Sequence, residues 1–170
     1  MSAATHVYPS AKAAAEACGA RAARLLEDAI RKSGRATFAL SGGSTPIHMF
    51  DTLAAMPLDW ARIHWFWVDE RMVPPENEES TVRLVKQHLF DRVSPPPANI
   101  HRIFGELPSE QALAGYESDL RNFFALGPAD LPRFDIIHRG MGPETHTASL
   151  FPGSPLIADR TGLAAVVTTP

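Results

Sequence analysis

A chain of 170 residues that is 45% hydrophobic is long enough to bury a real core, and residues 1–170 are most simply read as one domain. A formal charge of −3, from 16 basic and 19 acidic residues with no long block of either sign, excludes the electrostatic footprint of a nucleic-acid or membrane partner but leaves room for a small anion held by local amides and arginines. Cys18 is the only cysteine, which rules out an intramolecular disulfide and a Cys-rich metal site, and with no leader pattern in Met1 to Ser10 and no membrane-length apolar run the expected location is cytoplasmic.

Ser10 is placed to cap a helix running to about Ser33, with Ala14, Cys18, Ala22, Leu25, Ala29 and Ile30 at helical spacing and Gly34 at its C-terminal turn. Within that stripe Cys18 reads as a small buried thiol. Ala36-Thr37-Phe38-Ala39-Leu40 is a short apolar strand that runs into Ser41-Gly42-Gly43-Ser44, and Thr45-Pro46 starts a helix to about Ala55. A second strand, Arg62 to Val68, ends at Asp69-Glu70-Arg71 and is followed by a proline-containing loop from Met72 to Glu79. Ser80 caps a helix to about Phe90 with Val82, Val85 and Leu89 inward, and Pro95-Pro96-Pro97 interrupts the pattern. Leu113, Tyr116, Leu120 and Phe123 form the apolar stripe of a helix from Ser109 to Phe124, where Glu117 and Arg121 are spaced to pair. Phe134-Asp135-Ile136-Ile137 has the character of a buried strand, and Leu163 to Thr168 reads as a last strand with no helix after it. Helices alternating with short apolar strands predict an α/β protein with a parallel-rich sheet and helices on both faces.

Three segments carry candidate chemistry. The run from Gly140 to Gly153 delivers His146 on a glycine-punctuated turn after a strand, where open α/β sheets bind ligands, and imidazole is suited to moving protons near neutrality. Ser41-Gly42-Gly43-Ser44-Thr45 permits close backbone approach before a helix start, so it serves either as a tight structural turn or as an anion site; it is neither a Walker loop nor a dinucleotide fingerprint. Asp69-Glu70-Arg71 is either a solvated charge cluster or a site in which the Arg71 fork binds phosphate or an oxyanion. Strand alternation points Asp69, rather than Glu70, inward.

Taken in order, Ser41-Gly42-Gly43-Ser44-Thr45-Pro46, Asp69-Glu70-Arg71 with the following Val73-Pro74, and Gly140-Met141-Gly142 leading to His146-Thr147-Ala148-Ser149-Leu150-Phe151-Pro152 resemble the 6-phosphogluconolactonase family. The resemblance implies a three-layer α/β/α fold around a Rossmann-like sheet. It also implies a cytoplasmic hydrolase of the oxidative pentose phosphate pathway that opens 6-phospho-D-glucono-1,5-lactone with no metal or other cofactor, its partner being that small phosphorylated lactone. On this reading His146 is the general base and then the acid, and Glu144 orients it. Asp69 holds Arg71 or a sugar hydroxyl, Arg71 binds phosphate or the tetrahedral oxyanion, and Ser41, Gly42, Gly43, Ser44 and Thr45 receive the phosphate.

Several positions depart from the family pattern. Glu144-Thr145 stands where aspartate followed by glycine is usual, His138 and Arg139 replace apolar residues, and Thr81 replaces an asparagine; His138 is read as a structural substitution. Lys12, Lys32 and Lys86 are the only lysines and none matches the family's phosphate lysine. The expectation is therefore a chain lacking the C-terminal part of the family domain, prone to associate through the uncovered face of its last strand. Two rival readings remain: a non-catalytic sugar-phosphate-binding domain, and a glucosamine-6-phosphate deaminase, whose usual Asp-Glu-Tyr and His-Ile-Ala-Phe-Asn-Glu patterns differ from those here.

Overall fold

In the computed structural model, which describes residues 4–168, the Ser10 side chain accepts a hydrogen bond from the Ala13 N–H at 3.1 Å and starts helix α1, Ala11–Ser33. Gly34 ends it with φ 80° and an N–H bonded to the Ile30 carbonyl. The buried face of α1 is Ala15, Gly19, Ala22, Ala23, Leu26 and Ala29, rotated from the expected stripe so that Cys18 and Leu25 are exposed. The cause is the close approach of helix α2, Ile47–Ala54: a Cβ on Gly19 would lie 2.7 Å from the Met49 carbonyl oxygen, so this contact admits only the smallest residues.

Four strands, β1 Ala36–Leu40, β2 Ile63–Trp67, β3 Ile100–His101 and β4 Ile136–Ile137, pair in parallel in the order β3-β2-β1-β4. The two central strands divide their residues by the period of two. Phe38, Leu40, Trp65 and Trp67 join α1 and α2 in one cluster, whereas Ala39 and Phe66 pack on the other face against Tyr116 and Leu120 of α5, Ser109–Phe124. Helices on both faces of a parallel sheet make three layers, as expected. Full burial of each large aromatic side chain contributes on the order of 2–3 kcal/mol.

Ser80 caps α3, Thr81–Val85, which passes through a π-helical turn, Lys86–Phe90, into α4, Asp91–Val93. Val85 and Leu89 point fully into the core as the spacing predicts. Strand β4 is shorter and less covered than expected: it is an edge strand, and Ile137 is 54% exposed. Asp135 fixes its entry by accepting from both the N–H and the hydroxyl of Thr37 on β1, each at 2.8 Å.

Leu163 to Thr168 is not a strand. The Glu117 carboxylate of α5 takes the N–H groups of Leu163 and Ala164 at 2.7 and 3.2 Å, and both residues pack on the α5 cluster, so a side chain rather than a ladder holds this backbone. The same contact draws Glu117 away from Arg121, which donates instead to the Gly127 carbonyl. No helix among the described residues is long and apolar enough to cross a membrane.

Candidate active site at the carboxyl ends of the strands

Strand β1 is where the strand order reverses, with β2 and β3 on one side and β4 on the other. Such a switch point opens a crevice beyond the carboxyl ends of the strands. A cleft of about 830 Å³ lies there, walled by the loops that follow β1, β2 and β4.

From the first loop come Ser41, Gly42, Gly43, Ser44 and Thr45, all lining the cleft. Ser41 is 7% exposed at the end of β1, Ser44 and Thr45 reach solvent, and Gly43 has φ 103°. No side chain caps α2, which leaves its first-turn amides without a side-chain acceptor.

Asp69 turns inward as strand alternation predicts. The Ser41 hydroxyl donates to its Oδ1 at 2.9 Å and the Ser149 hydroxyl to its Oδ2 at 3.0 Å. Both oxygens are thus engaged, and Asp69 does not hold Arg71: Arg71 is among the residues lining the cleft, and its side chain has no hydrogen-bond or ionic partner among the described residues. Glu70 also turns inward, against expectation. It accepts from the N–H groups of Thr81 at 2.8 Å and Val82 at 2.9 Å and from the Ser80 hydroxyl at 3.3 Å, a carboxylate placed on the positive end of α3.

His146 also lines the cleft, and its Nδ1 lies 3.2 Å from Glu144 Oε2. The imidazole side chain is 26% exposed and Glu144 66%, so Glu144 approaches from the solvent side. Phe151 lies against the ring with centroids 4.5 Å apart, and Gly142 sits so close to it that any Cβ would overlap the imidazole. The Gly142 N–H donates to the His146 carbonyl at 2.9 Å, and Thr145 N–H to the Gly142 carbonyl at 2.9 Å. Thr145 has φ 64°, a left-handed conformation that glycine adopts without the cost a side chain brings.

The residues that also line this cleft include His138, Arg139, Cys18, Glu78 and Glu79. His138 presents a largely buried imidazole whose Nδ1 has no partner among the described residues, and burial lowers its pKa from the ordinary 6.5. Arg139 lines the wall while its Nε donates to Thr147 Oγ1 at 3.3 Å. Cys18, expected in the core, is on the rim, with Sγ 3.5 Å from Met49 Sδ and a thiol pKa pushed up by partial burial of the sulfur. From the sequence Ser149 was given no role of its own, and Glu70 was placed in the charged triplet but expected to point outward. Ser149 lies inside a recognised motif, and that was its available signal, whereas nothing local announces that Glu70 meets a helix start ten residues on. No group of three His, Cys, Asp or Glu side chains among the described residues is arranged to hold a metal ion.

A parallel sheet of reversed strand order with a polar cleft at the reversal defines an α/β protein of the doubly wound class. More narrowly, the chain belongs to the family described as glucosamine-6-phosphate isomerases/6-phosphogluconolactonase, which it matches over residues 9–170. It is 41% identical over 143 residues to a 6-phosphogluconolactonase of Nostoc sp., an alignment covering 83% of this chain and 59% of that protein. Among solved structures it resembles the devB protein (TM-score 0.82, 32% identity, 96% of this chain and 68% of that one). It also resembles 6-phosphogluconolactonase from Thermotoga maritima (TM-score 0.69, 32% identity, 80% and 59%). The chain spans 59% and 55% of the lengths of its Nostoc and Synechocystis relatives.

Proposed function

We propose that this chain carries 6-phosphogluconolactonase chemistry, the hydrolysis of 6-phospho-D-glucono-1,5-lactone to 6-phospho-D-gluconate, as a cytoplasmic step of the oxidative pentose phosphate pathway. One observation carries the reading: an uncapped glycine loop, an unpartnered arginine and a carboxylate-backed histidine all meet in one cleft. Its volume of about 830 Å³ is ample for a phosphorylated sugar.

In the proposed reaction Glu144 accepts the Nδ1–H of His146, which leaves Nε2 as the base. His146 takes a proton from water as the water oxygen attacks the lactone carbonyl carbon. The tetrahedral intermediate collapses by breaking the bond to the ring oxygen, and the same imidazole returns the proton to that oxygen. One water is consumed and the ring opens to a carboxylic acid, which ionises. Ser41 to Thr45 and the first amides of α2 receive the phosphate. Arg71 serves either that phosphate or the oxyanion, and the kinetic parameters separate the two roles.

His146→Ala is expected to lower hydrolysis above the spontaneous rate by about 10²–10⁴-fold, the usual range for a lost general acid–base group. Arg71→Lys keeps charge but loses the planar fork; a phosphate role then raises KM, and an oxyanion role lowers kcat. Release of ammonia from glucosamine 6-phosphate would instead select the deaminase chemistry. The strained Thr145 and the solvent-facing Glu144 favour one second reading, a sugar-phosphate-binding domain without turnover. Binding of 6-phosphogluconate with no acceleration of lactone hydrolysis would select it.

A further inference from the structure

The histidine loop is held against its own backbone preferences. Thr145 at φ 64° and Ala148 at φ 51° flank His146, both in the region that side-chain-bearing residues avoid. Such a loop keeps its shape only when surrounding contacts over-determine it. Its internal bonds, from Gly142 to His146, from Thr145 to Gly142 and the reciprocal pair between Thr147 and Leu150, shape the turn but do not attach it to the sheet. Two side-chain bonds reach outward. The Arg139–Thr147 bond is exposed and 3.3 Å long, whereas Ser149 donates to Asp69 at 3.0 Å in a part-buried setting, with a charged acceptor. The other oxygen of Asp69 is already anchored by Ser41, at the end of β1 and the start of the glycine loop.

We propose that Ser149 is a positioning residue for His146: through Asp69 and Ser41 it fastens the histidine loop to the glycine loop, so that the proton-transfer group and the phosphate cradle form one unit. The hydroxyl donates its proton to Asp69, and Ser149 is not among the residues that line the cleft, so the role is attachment rather than contact with substrate. This inference rests on the lactonase reading of the cleft.

Ser149→Ala and Ser149→Thr, with His146→Ala as reference, are followed by two measurements on the whole chain: lactone hydrolysis resolved into kcat and KM, and amide hydrogen exchange of residues 142–150. Ser149→Ala is expected to lower kcat about 10-fold with KM changed less than about 2-fold, within what a displacement of about 1 Å costs. Exchange in 142–150 is expected to rise while α1 and β1 keep their protection, and Ser149→Thr, which retains the hydroxyl, is expected to restore both signals. Unchanged loop exchange in Ser149→Ala overturns the proposal whatever the turnover. So does a threonine variant no better than alanine, or a loss of protection that extends to α1 and β1. Full turnover in His146→Ala counts against the lactonase reading alone, and the exchange measurement still decides the tie.

Discussion

Thr145 is a β-branched residue held at φ 64° beside the candidate base. That conformation costs a non-glycine residue roughly 1–2 kcal/mol, part of which glycine would return as greater freedom of the unfolded chain. Thr145→Gly is therefore expected to stabilise the protein by about 0.5–1 kcal/mol, read as a higher urea midpoint at unchanged slope. A lower midpoint would mean that the threonine side chain has a compensating contact. The departure at 144–145 was legible in the sequence as a missing glycine, and the observed φ gives its physical meaning. The inward turn of Asp69 was legible for a similar reason, because strand alternation is a local rule. Glu70 was not, since its direction depends on α3 arriving at that place; nor was it legible that Asp69, expected to hold Arg71 or a sugar hydroxyl, takes two serine hydroxyls from distant loops.

At the scale of elements, α1, α5 and the two central strands carry their own signals in caps and periodicity. Strand β3 and the segment 163–168 do not, because a two-residue strand exists only by virtue of the ladder beside it, and an apolar run becomes a strand only where a ladder partner is free. The short β3 has a consequence on β2. It pairs with Trp65 and Phe66 but stops before Trp67, whose N–H and C=O are satisfied instead by the Tyr116 hydroxyl of α5, at 3.0 and 2.6 Å. Burial raises the pKa of that phenol, which keeps its proton in place as the donor. Tyr116→Phe leaves two buried backbone groups unpaired and is expected to destabilise the fold by about 2 kcal/mol. Thermal unfolding measures it, and a loss no larger than that of a typical surface substitution would show that water replaces the phenol.

The whole molecule has an acid-sensitive side that follows from histidines at opposite ends of one sheet. His64, near the start of β2, has its pKa lowered from 6.5 to about 4, first by desolvation and then by repulsion from His101 and Arg35. Its Nδ1 faces His101 Nε2 at 3.1 Å, His101 in turn faces the Asp119 carboxylate of α5 at 2.8 Å, and Phe123 covers the pair. His138, just beyond β4, is lowered by burial. For both groups the folded pKa lies below the unfolded one, so the unfolded chain binds protons first as pH falls. The stability tied to their neutral forms is complete above pH 6.5 and, for His64, is lost between 6.5 and about 4. The Arg102–Glu106 pair acts lower: Glu106, held down to about 2 by its hydrogen bond from Arg102, contributes above its ordinary 4.5 and loses that between 4.5 and 2. Because Glu106 stands at the surface, where solvent screens the pair, it adds little. Unfolding free energy is thus expected to be level from pH 8 to about 6.5 and to fall from there to 4.5, before carboxylates dominate. His64→Phe, which removes one titrating group while leaving His101 on Asp119, should flatten that limb without moving the onset set by His138. Urea titrations at pH 7.5, 6 and 5 on both proteins decide the matter, and equal slopes would show that His64 takes up its proton in the folded protein as readily as in the unfolded one.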